Sequence, residues 1–562
     1  MVALCARAHD FENRAIALCA RAHERRARAQ IAERKVRSAH VWKKITLSLI
    51  TLLTYLVYKF FTKHFGYWEK MGVKCVKPVP FFGSATSVFL IKEHPMTFNQ
   101  RLYQKYEGEQ FIGFYMGRTP TLLAFDPELI KLIFVKDFSH FVDHGFKFHE
   151  EADPLQALSL FNLTGQRWKD MRTKLVPTFT SGKIKGMFPL MQECTSQFEL
   201  HLEKLATTKE VFEVKDLMGC LFTDMIGTCI FGITCNSIKD PKNQFRVMGK
   251  KLFELDFVQA LKGMIIFFMP DIAMKLKIAS MQKDAIEFFK TLSKTLVEQR
   301  KKTKAYRKDF LQLLVELQEK GSVAIDADDE DQHQAEQEMQ NSSSSTFKMS
   351  DIELAAQATV FFFAGFETSS TLTSFSLLEL AANPDVQQKA QLEIDEVFEK
   401  NNGKLTYEAL RDMKYLDWIM KESLRKYPPI PIIIRECTKT YTIPNTNVTI
   451  EKGTMVQIPI CSLQNDPKYF PDPDRFDPER FIDDENSHKY QYIYSPFGEG
   501  PRQCIGNRFA LIQSKIALLT FLRKYTLVFS PKTQYPVVFD KVQFIPTSKD
   551  GVWLQLEKRS EE

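Results

Sequence analysis

No two of the ten cysteines (5, 19, 75, 194, 220, 229, 235, 437, 461 and 504) form a CxxC pair, and together they make no even framework. That excludes a paired-cysteine zinc or redox motif and a disulfide scaffold, and it places the catalytic region in a reducing, cytosolic environment. A large charge excess is also missing: net +7 with 26% charged residues gives no footing for nucleic-acid binding. Long apolar runs are scarce. Residues 45–61 would span roughly 25 Å as a helix at about 1.5 Å per residue, barely a bilayer core, and Met264 to Pro270 is too short to span and could only dip into an interface. Aromatic residues are plentiful instead, at 12% with 47 Phe, which suits a chain that lines a sizeable apolar cavity, although most of them must be core.

The segment from Phe497 to Gly506 reads F-G-x-G-x-R-x-C-x-G. A cysteine held against a metal must lose its proton, find donors that damp its charge, and meet little solvent. Glycines 498, 500 and 506 allow the backbone to approach and turn N–H groups toward the sulfur of Cys504, and Phe497 can cover it. Arg502 supplies a charge that lowers the thiol pKa or binds an anionic cofactor group. A helix is expected to follow at once, from about Asn507 through Lys524, so that Cys504 lies near a helix N-terminus. A cysteine chosen at random is more often a buried structural thiol. Six defined positions, however, arise by chance in only about one chain of this length in 100,000 at average residue usage.

This pattern resembles the haem-binding loop of cytochrome P450 monooxygenases, and other segments extend the resemblance. Lys421-Glu422-Ser423-Leu424-Arg425 places a carboxylate and a guanidinium on one helix face, a pairing commonplace by itself. The proline-studded segment from Phe470 to Phe481 can be neither helix interior nor central strand and looks like the family's meander. There the resemblance implies that Arg480 joins Glu422 and Arg425 in a buried forked ion-pair network.

A second polar feature is Ala364-Gly365-Phe366-Glu367-Thr368-Ser369, within a helix expected to begin at the capping box Ser350-Asp351-Ile352-Glu353 and to stop before Asn383-Pro384. Its apolar middle, Ala355 to Phe363, reads as buried, so Glu367 and Thr368 are polar intrusions. Gly365 loosens the helix, and the Thr368 hydroxyl can bond back to a carbonyl or open a small gap for water. Taken alone, a satisfied buried threonine and a solvated glutamate would be an equal reading. Beside the cysteine loop, the match to the family's oxygen-activation motif decides, and it implies that Glu367 and Thr368 are catalytic and relay protons for dioxygen activation.

Trp168 and Arg172 stand four residues apart on one helical face, like the family's W-x-x-x-R, which binds haem propionates. Arg435 and Arg502 are matched in the same way. The resemblance covers residues 66 to 558 and implies haem b with Cys504 as its metal ligand, and a mainly α fold with small β-sheets (α+β) that ends in a strand over Gly551 to Lys558. It further implies a monooxygenase fed with electrons from NADPH by NADPH–cytochrome P450 reductase, with cytochrome b5 as a helper. Helical periods at Leu252 to Leu261, Asp385 to Phe398 and Phe509 to Tyr525, with β signals such as Thr440 to Ile460, agree with the fold class. Lys169, Lys174, Lys183, Lys185, Lys515, Arg523 and Lys524 are basic candidates for receiving the electron donor, or simply solubilising residues.

By family position, a lipophilic substrate meets residues 146–161, the 361–368 helix face, residues 430–434 and residues 544–546. Details around Glu422 to Arg435 and Gly500 to Ala510 most resemble animal microsomal enzymes of the xenobiotic-metabolising branch, particularly those of insects, so the expected substrates are xenobiotics or endogenous lipids and hormones. An isomerase or dehydratase acting on a peroxide and a non-catalytic haem sensor are the rival readings. Residues 45–61 are expected to anchor the chain in a membrane, residues 62–82 to form a linker with a proline hinge, and residues 83–562 to form the haem-thiolate domain. Within that domain, residues 321–346 are expected to be a disordered acidic loop. Residues 1–44 hold eleven Lys or Arg against four acids and repeat Ala-Leu-Cys-Ala-Arg-Ala-His. They are read as an extension before an endoplasmic-reticulum anchor with the catalytic domain facing the cytosol, a mitochondrial membrane being the alternative.

Overall fold

The computed structural model describes residues 1–252, 257–323, 348–482 and 490–559, and it divides into two units, Met1–Phe65 and Gly66–Glu562. In the first unit a single helix, Val2–Thr62, runs without interruption through the basic stretch and the apolar run. By length and composition that helix contains a segment apolar enough to cross a membrane.

The second unit is mainly helical with small sheets. The expected capping box is present: Glu353 N–H donates to Ser350 Oγ at 3.3 Å, while the Ser350 N–H donates to the Glu353 carboxylate at 3.0 Å. It starts the helix Asp351–Ala382, which stops at Asn383. This helix is buried on most of its circumference because helices Val214–Ile226, Lys283–Thr303, Lys414–Lys426 and Asn507–Leu522 pack around it. An all-round apolar sequence is what such a position demands.

The strands are β1 (Phe111–Met116), β2 (Thr119–Ala124), β3 (Phe212–Glu213), β4 (Ile433–Glu436), β5 (Tyr441–Thr442), β6 (Thr449–Ile450), β7 (Met455–Ile458), β8 (Tyr525–Phe529) and β9 (Trp553–Lys558). They form a sheet of order β1-β2-β7-β4, in which only β2 and β7 are parallel, an antiparallel sheet β3-β9-β8, and the pair β5-β6. The hairpin β1–β2 was not anticipated, because its strands are buried on both faces and carry no alternation. The helix expected from Asn507 to Lys524 ends at Leu522, and β8 takes up Tyr525. The terminal strand begins at Trp553 rather than Gly551. Residues 253–256 of the expected 252–261 helix and residues 324–346 of the expected acidic loop lie outside the described residues.

Candidate active site

The cysteine loop is held by its own backbone. Cys504 N–H donates to the Phe497 carbonyl at 2.9 Å and Gln503 N–H to that of Gly500 at 2.9 Å. Gly498 and Gly500 both have φ of +71°, and a Cβ on Gly500 would overlap the Phe134 carbonyl oxygen, so no other residue fits there. The resulting turn brings the Gly506 N–H to the Cys504 sulfur. Burial pushes the Cys504 thiol up, and that N–H together with the Arg172 charge pulls it down. The side chain is reachable by solvent although protein encloses it closely, as for a sulfur lining an internal recess. Phe497 is half-buried beside it, and the helix Asn507–Leu522 starts three positions on.

Around this loop lies a concentration of guanidinium groups. Helix Gly165–Leu175 carries Trp168 and Arg172 one turn apart, and Arg172 Nη1 donates to the Gln503 carbonyl at 2.7 Å. Arg502 stacks 4.1 Å from the Trp168 ring centroid. It donates to the carbonyls of Val142 at 2.9 Å and Leu163 at 2.7 Å, and it lies 3.5 Å from Asp143. The Trp168 indole N–H has no acceptor among the described residues. Arg435, on β4, is 2% exposed; its Nη1 reaches only the neighbouring Ile434 carbonyl at 3.0 Å, and its Nε has no partner. Burial lowers the Arg435 guanidinium to about 10. Arg502 falls to about 9 from burial first and the charges of Arg435 and Arg172 second. Arg502 thus feels two neighbouring cations, Arg435 and Arg172, against one carboxylate, Asp143, while Arg435 has no carboxylate partner among the described residues. A buried surplus of that size calls for anionic partners. A planar cofactor bearing two carboxylates, as haem does, fits it.

Among the described residues no three His, Cys, Asp or Glu side chains gather to hold a bare metal ion. A metal at Cys504 must therefore arrive with its other ligands, as porphyrin iron does.

The 364–369 segment lies in the middle of the long helix, where Ala364 is exposed, Gly365, Glu367 and Thr368 are half-buried, and Phe366 and Ser369 are buried. The Thr368 hydroxyl donates to the Ala364 carbonyl at 2.5 Å, the first of the two options read from the sequence. Gln513 Nε2 donates to the Gly365 carbonyl at 3.0 Å and to Ser369 Oγ at 2.5 Å. A Cβ on Gly365 would sit 2.7 Å from Ile226 Cδ1, so glycine lets the two helices close. Glu367 is not a solvated carboxylate: Lys215 Nζ lies 2.5 Å from its Oε1. Neither Lys215 nor Gln513 was singled out from the sequence. Each lies well over a hundred positions from its partner, and a lone lysine at a helix start carries no signal.

The ion-pair network is assembled, with Glu422 and Arg425 fully buried and Arg480 partly so. Arg425 forks onto Glu422 at 2.7 and 2.9 Å, with both side chains at 0% exposure, and its Nη2 also donates to the Pro473 carbonyl at 2.7 Å. Arg480 Nε stands 3.4 Å from Glu422, and its other nitrogens hold the Pro471 and Asp472 carbonyls. Among the basic candidates for donor docking, Lys515 is buried against Asp417 at 2.8 Å and presents no charge outward.

The cytochrome P450 family model matches residues 73–554. The chain is similar to "Cytochrome P450 9e2" of Blattella germanica, 39% identical over 541 residues that cover 93% of this chain and 99% of the relative. It is also similar to "Probable cytochrome P450 6a14" of Drosophila melanogaster, 38% identical over 519 residues, 91% of this chain and 99% of the relative. "Cytochrome P450 6j1" of Blattella germanica is 36% identical over 502 residues, covering 89% of this chain and 95% of the relative. With likeness running through almost the whole second unit, the chain belongs to the cytochrome P450 family and is a haem monooxygenase.

Proposed function

We propose that Cys504 would bind the iron of haem b through its sulfur, that Trp168, Arg172, Arg435 and Arg502 would hold its propionates, and that Phe497 would shield the sulfur. In this reading the chain places one oxygen atom of dioxygen in a lipophilic organic substrate and releases the other as water. Two electrons come from NADPH by way of a membrane-bound NADPH–cytochrome P450 reductase, with cytochrome b5 as a second donor. When bound, thiolate-ligated haem supplies the electron density that favours O–O cleavage. The protein's share is to offset part of the burial that raises the Cys504 thiol pKa, through the Gly506 N–H and the Arg172 charge, and to neutralise the cofactor's carboxylates. Glu367 and Thr368 pass two protons per turnover to the reacting oxygen. The intact acid–hydroxyl pair favours oxygen insertion over rearrangement of a peroxide. Phe161, Ile430 and Phe544, three of the apolar positions expected to meet substrate, are exposed, in keeping with a lipophilic ligand.

The observation that carries this reading is Arg435, a buried guanidinium with no carboxylate partner among the described residues, close enough to Arg502 for their charges to interact. Full-length protein, reconstituted with reductase, NADPH and isotopically labelled dioxygen, should give a product from a lipophilic panel that carries one labelled oxygen. Consumption of NADPH without any labelled product would overturn the proposal. We place the chain in the endoplasmic-reticulum membrane with the second unit on the cytosolic side. Protease digestion of intact microsomes should remove that unit, and protection of it would refute the placement.

A further inference from the structure

Lys215 opens the helix Val214–Ile226, and its ammonium bonds three side chains on two elements, the helix Asp351–Ala382 and the loop that holds Thr547. It lies 2.5 Å from Glu367 Oε1, 2.8 Å from Thr547 Oγ1 and 3.3 Å from Thr371 Oγ1. Glu367 is its only acidic partner among the described residues. The two side chains are 21% and 15% exposed, so the pair is neither surface decoration nor sealed core. Lys215, though not Glu367, lines a cleft whose wall also includes Glu213, Thr371, Ser374, Thr547 and Ser548. Phe375, Pro546 and Val552 make much of that wall apolar, and the buried Ser374 hydroxyl there has no protein partner among the described residues, the kind of group that ordered water satisfies. Glu213 does not compete for Lys215, because its carboxylate accepts the Asp216 and Val552 N–H groups.

Glu367 adjoins Thr368 in the chain, and adjacent positions on a helix point about 100° apart at 3.6 residues per turn. Glu367 is thus joined to the cleft wall through Lys215 and is the chain neighbour of the Thr368 hydroxyl. We propose that Lys215 is a positioning residue for proton delivery. It holds the Glu367 carboxylate against the wall of this cleft, so that protons enter from cleft water, pass onto Glu367, and leave it for Thr368 and the reacting oxygen. The inference rests on the reading of Glu367 and Thr368 as the proton-delivering pair. Its balance is that of the whole reaction: substrate, dioxygen, two electrons and two protons give hydroxylated product and water, and the carboxylate returns to its starting state after each proton passes. When delivery fails, reduced oxygen escapes as peroxide and the electrons are lost to product.

The test uses the full-length haem-loaded protein with reductase and compares Lys215→Met, which keeps length and removes charge, with Lys215→Arg, which keeps charge. Each is also combined with Glu367→Gln. Product per NADPH consumed should fall about tenfold in Lys215→Met, a part of the roughly hundredfold that a general acid contributes, and the solvent deuterium isotope effect should rise. Lys215→Arg should restore most of the yield, and Lys215→Met should add nothing in the Glu367→Gln background. Independently of turnover, melting temperatures of the single and double variants should be non-additive. An unchanged yield in Lys215→Met, a lower melting temperature alone, or an equal further loss on top of Glu367→Gln overturns the inference. Should Lys215→Met fail to fold, Thr547→Val loosens the same ammonium and must lower the yield in the same direction. A Glu367→Gln enzyme with unimpaired yield would overturn the underlying proton-pair reading instead, which keeps the two failures apart.

Discussion

The cysteine loop and the 364–369 helix segment are built by opposite means. Around Cys504 the work is done by backbone: glycine turns, N–H groups aimed by those turns, and a meander clamped from below by Glu422, Arg425 and Arg480. At Glu367 and Thr368 the backbone is an ordinary helix, and the polar groups are set by side chains sent from elsewhere, Lys215 and Gln513. The first arrangement fixes a ligand in place and tolerates little change. The second trims the position of groups that pass protons, and it can be altered without disturbing the fold.

The contrast is sharpest where a substitution removes one function and leaves the other. Cys504→Ala should abolish the sulfur-ligated Soret band of the reduced, carbon-monoxide-treated protein and all NADPH-driven turnover, while the 364–369 helix stays intact. Retention of that band would break the assignment of the ligand. Next in size, Arg425→Ala leaves the Glu422 carboxylate buried with Arg480 as its remaining cation, 3.4 Å away. Removing one member of such a pair costs about 3–5 kcal/mol. Haem content and the urea midpoint should therefore fall together, and a variant with normal haem would show that the meander holds without its clamp.

On the other side of the comparison, Glu367→Gln should leave haem content and the Soret band at wild-type values while product formation drops roughly hundredfold, about 2.7 kcal/mol in the barrier. Haem loss in that variant would mean that the helix segment shares the structural duty of the cysteine loop, and the distinction between the two regions would dissolve.

The same division explains what could be read from the amino acids alone. The cysteine loop and the Trp168–Arg172 pair are compact patterns whose own residues lie within one turn or one loop, so residue types and spacing carry them although their partners are distant. The capping box at Ser350 and the end of the helix before Pro384 are local in the same sense. Lys215 is more than a hundred residues from Glu367, and nothing about a lysine in a first helical turn distinguishes an ion pair from a solvated face. The hairpin β1–β2 escaped because burial of both faces erases alternation. Lys515 looked like surface charge although it lies in the core against Asp417, since sequence gives the charge of a side chain and not its depth.

His144 gives the smallest effect and tests the guanidinium cluster without touching its arginines. Its ring stacks on Phe161 with centroids 4.3 Å apart, and its Nδ1 is 2.8 Å from the Phe161 carbonyl oxygen. The charges that bear on it are Arg435 on β4 and Arg502 in the cysteine loop, with Asp143 preceding it in the chain. Burial first, and then the two arginines, hold its pKa well below the ordinary 6.5. Below pH 6.5 the unfolded chain thus binds a proton that the folded chain does not. Stability is full above that value and declines as the pH drops, by about 1.4 kcal/mol per unit for this one group until the folded value is reached. His144→Gln should flatten the dependence of the haem-free protein between pH 6.5 and lower pH. In the haem-loaded protein the cofactor's carboxylates offset the arginine charges and raise the folded value, so the wild-type decline there should level off at a higher pH. A decline that ends at the same pH with and without haem would mean that the cluster does not receive those carboxylates, and that the buried cations serve the fold alone.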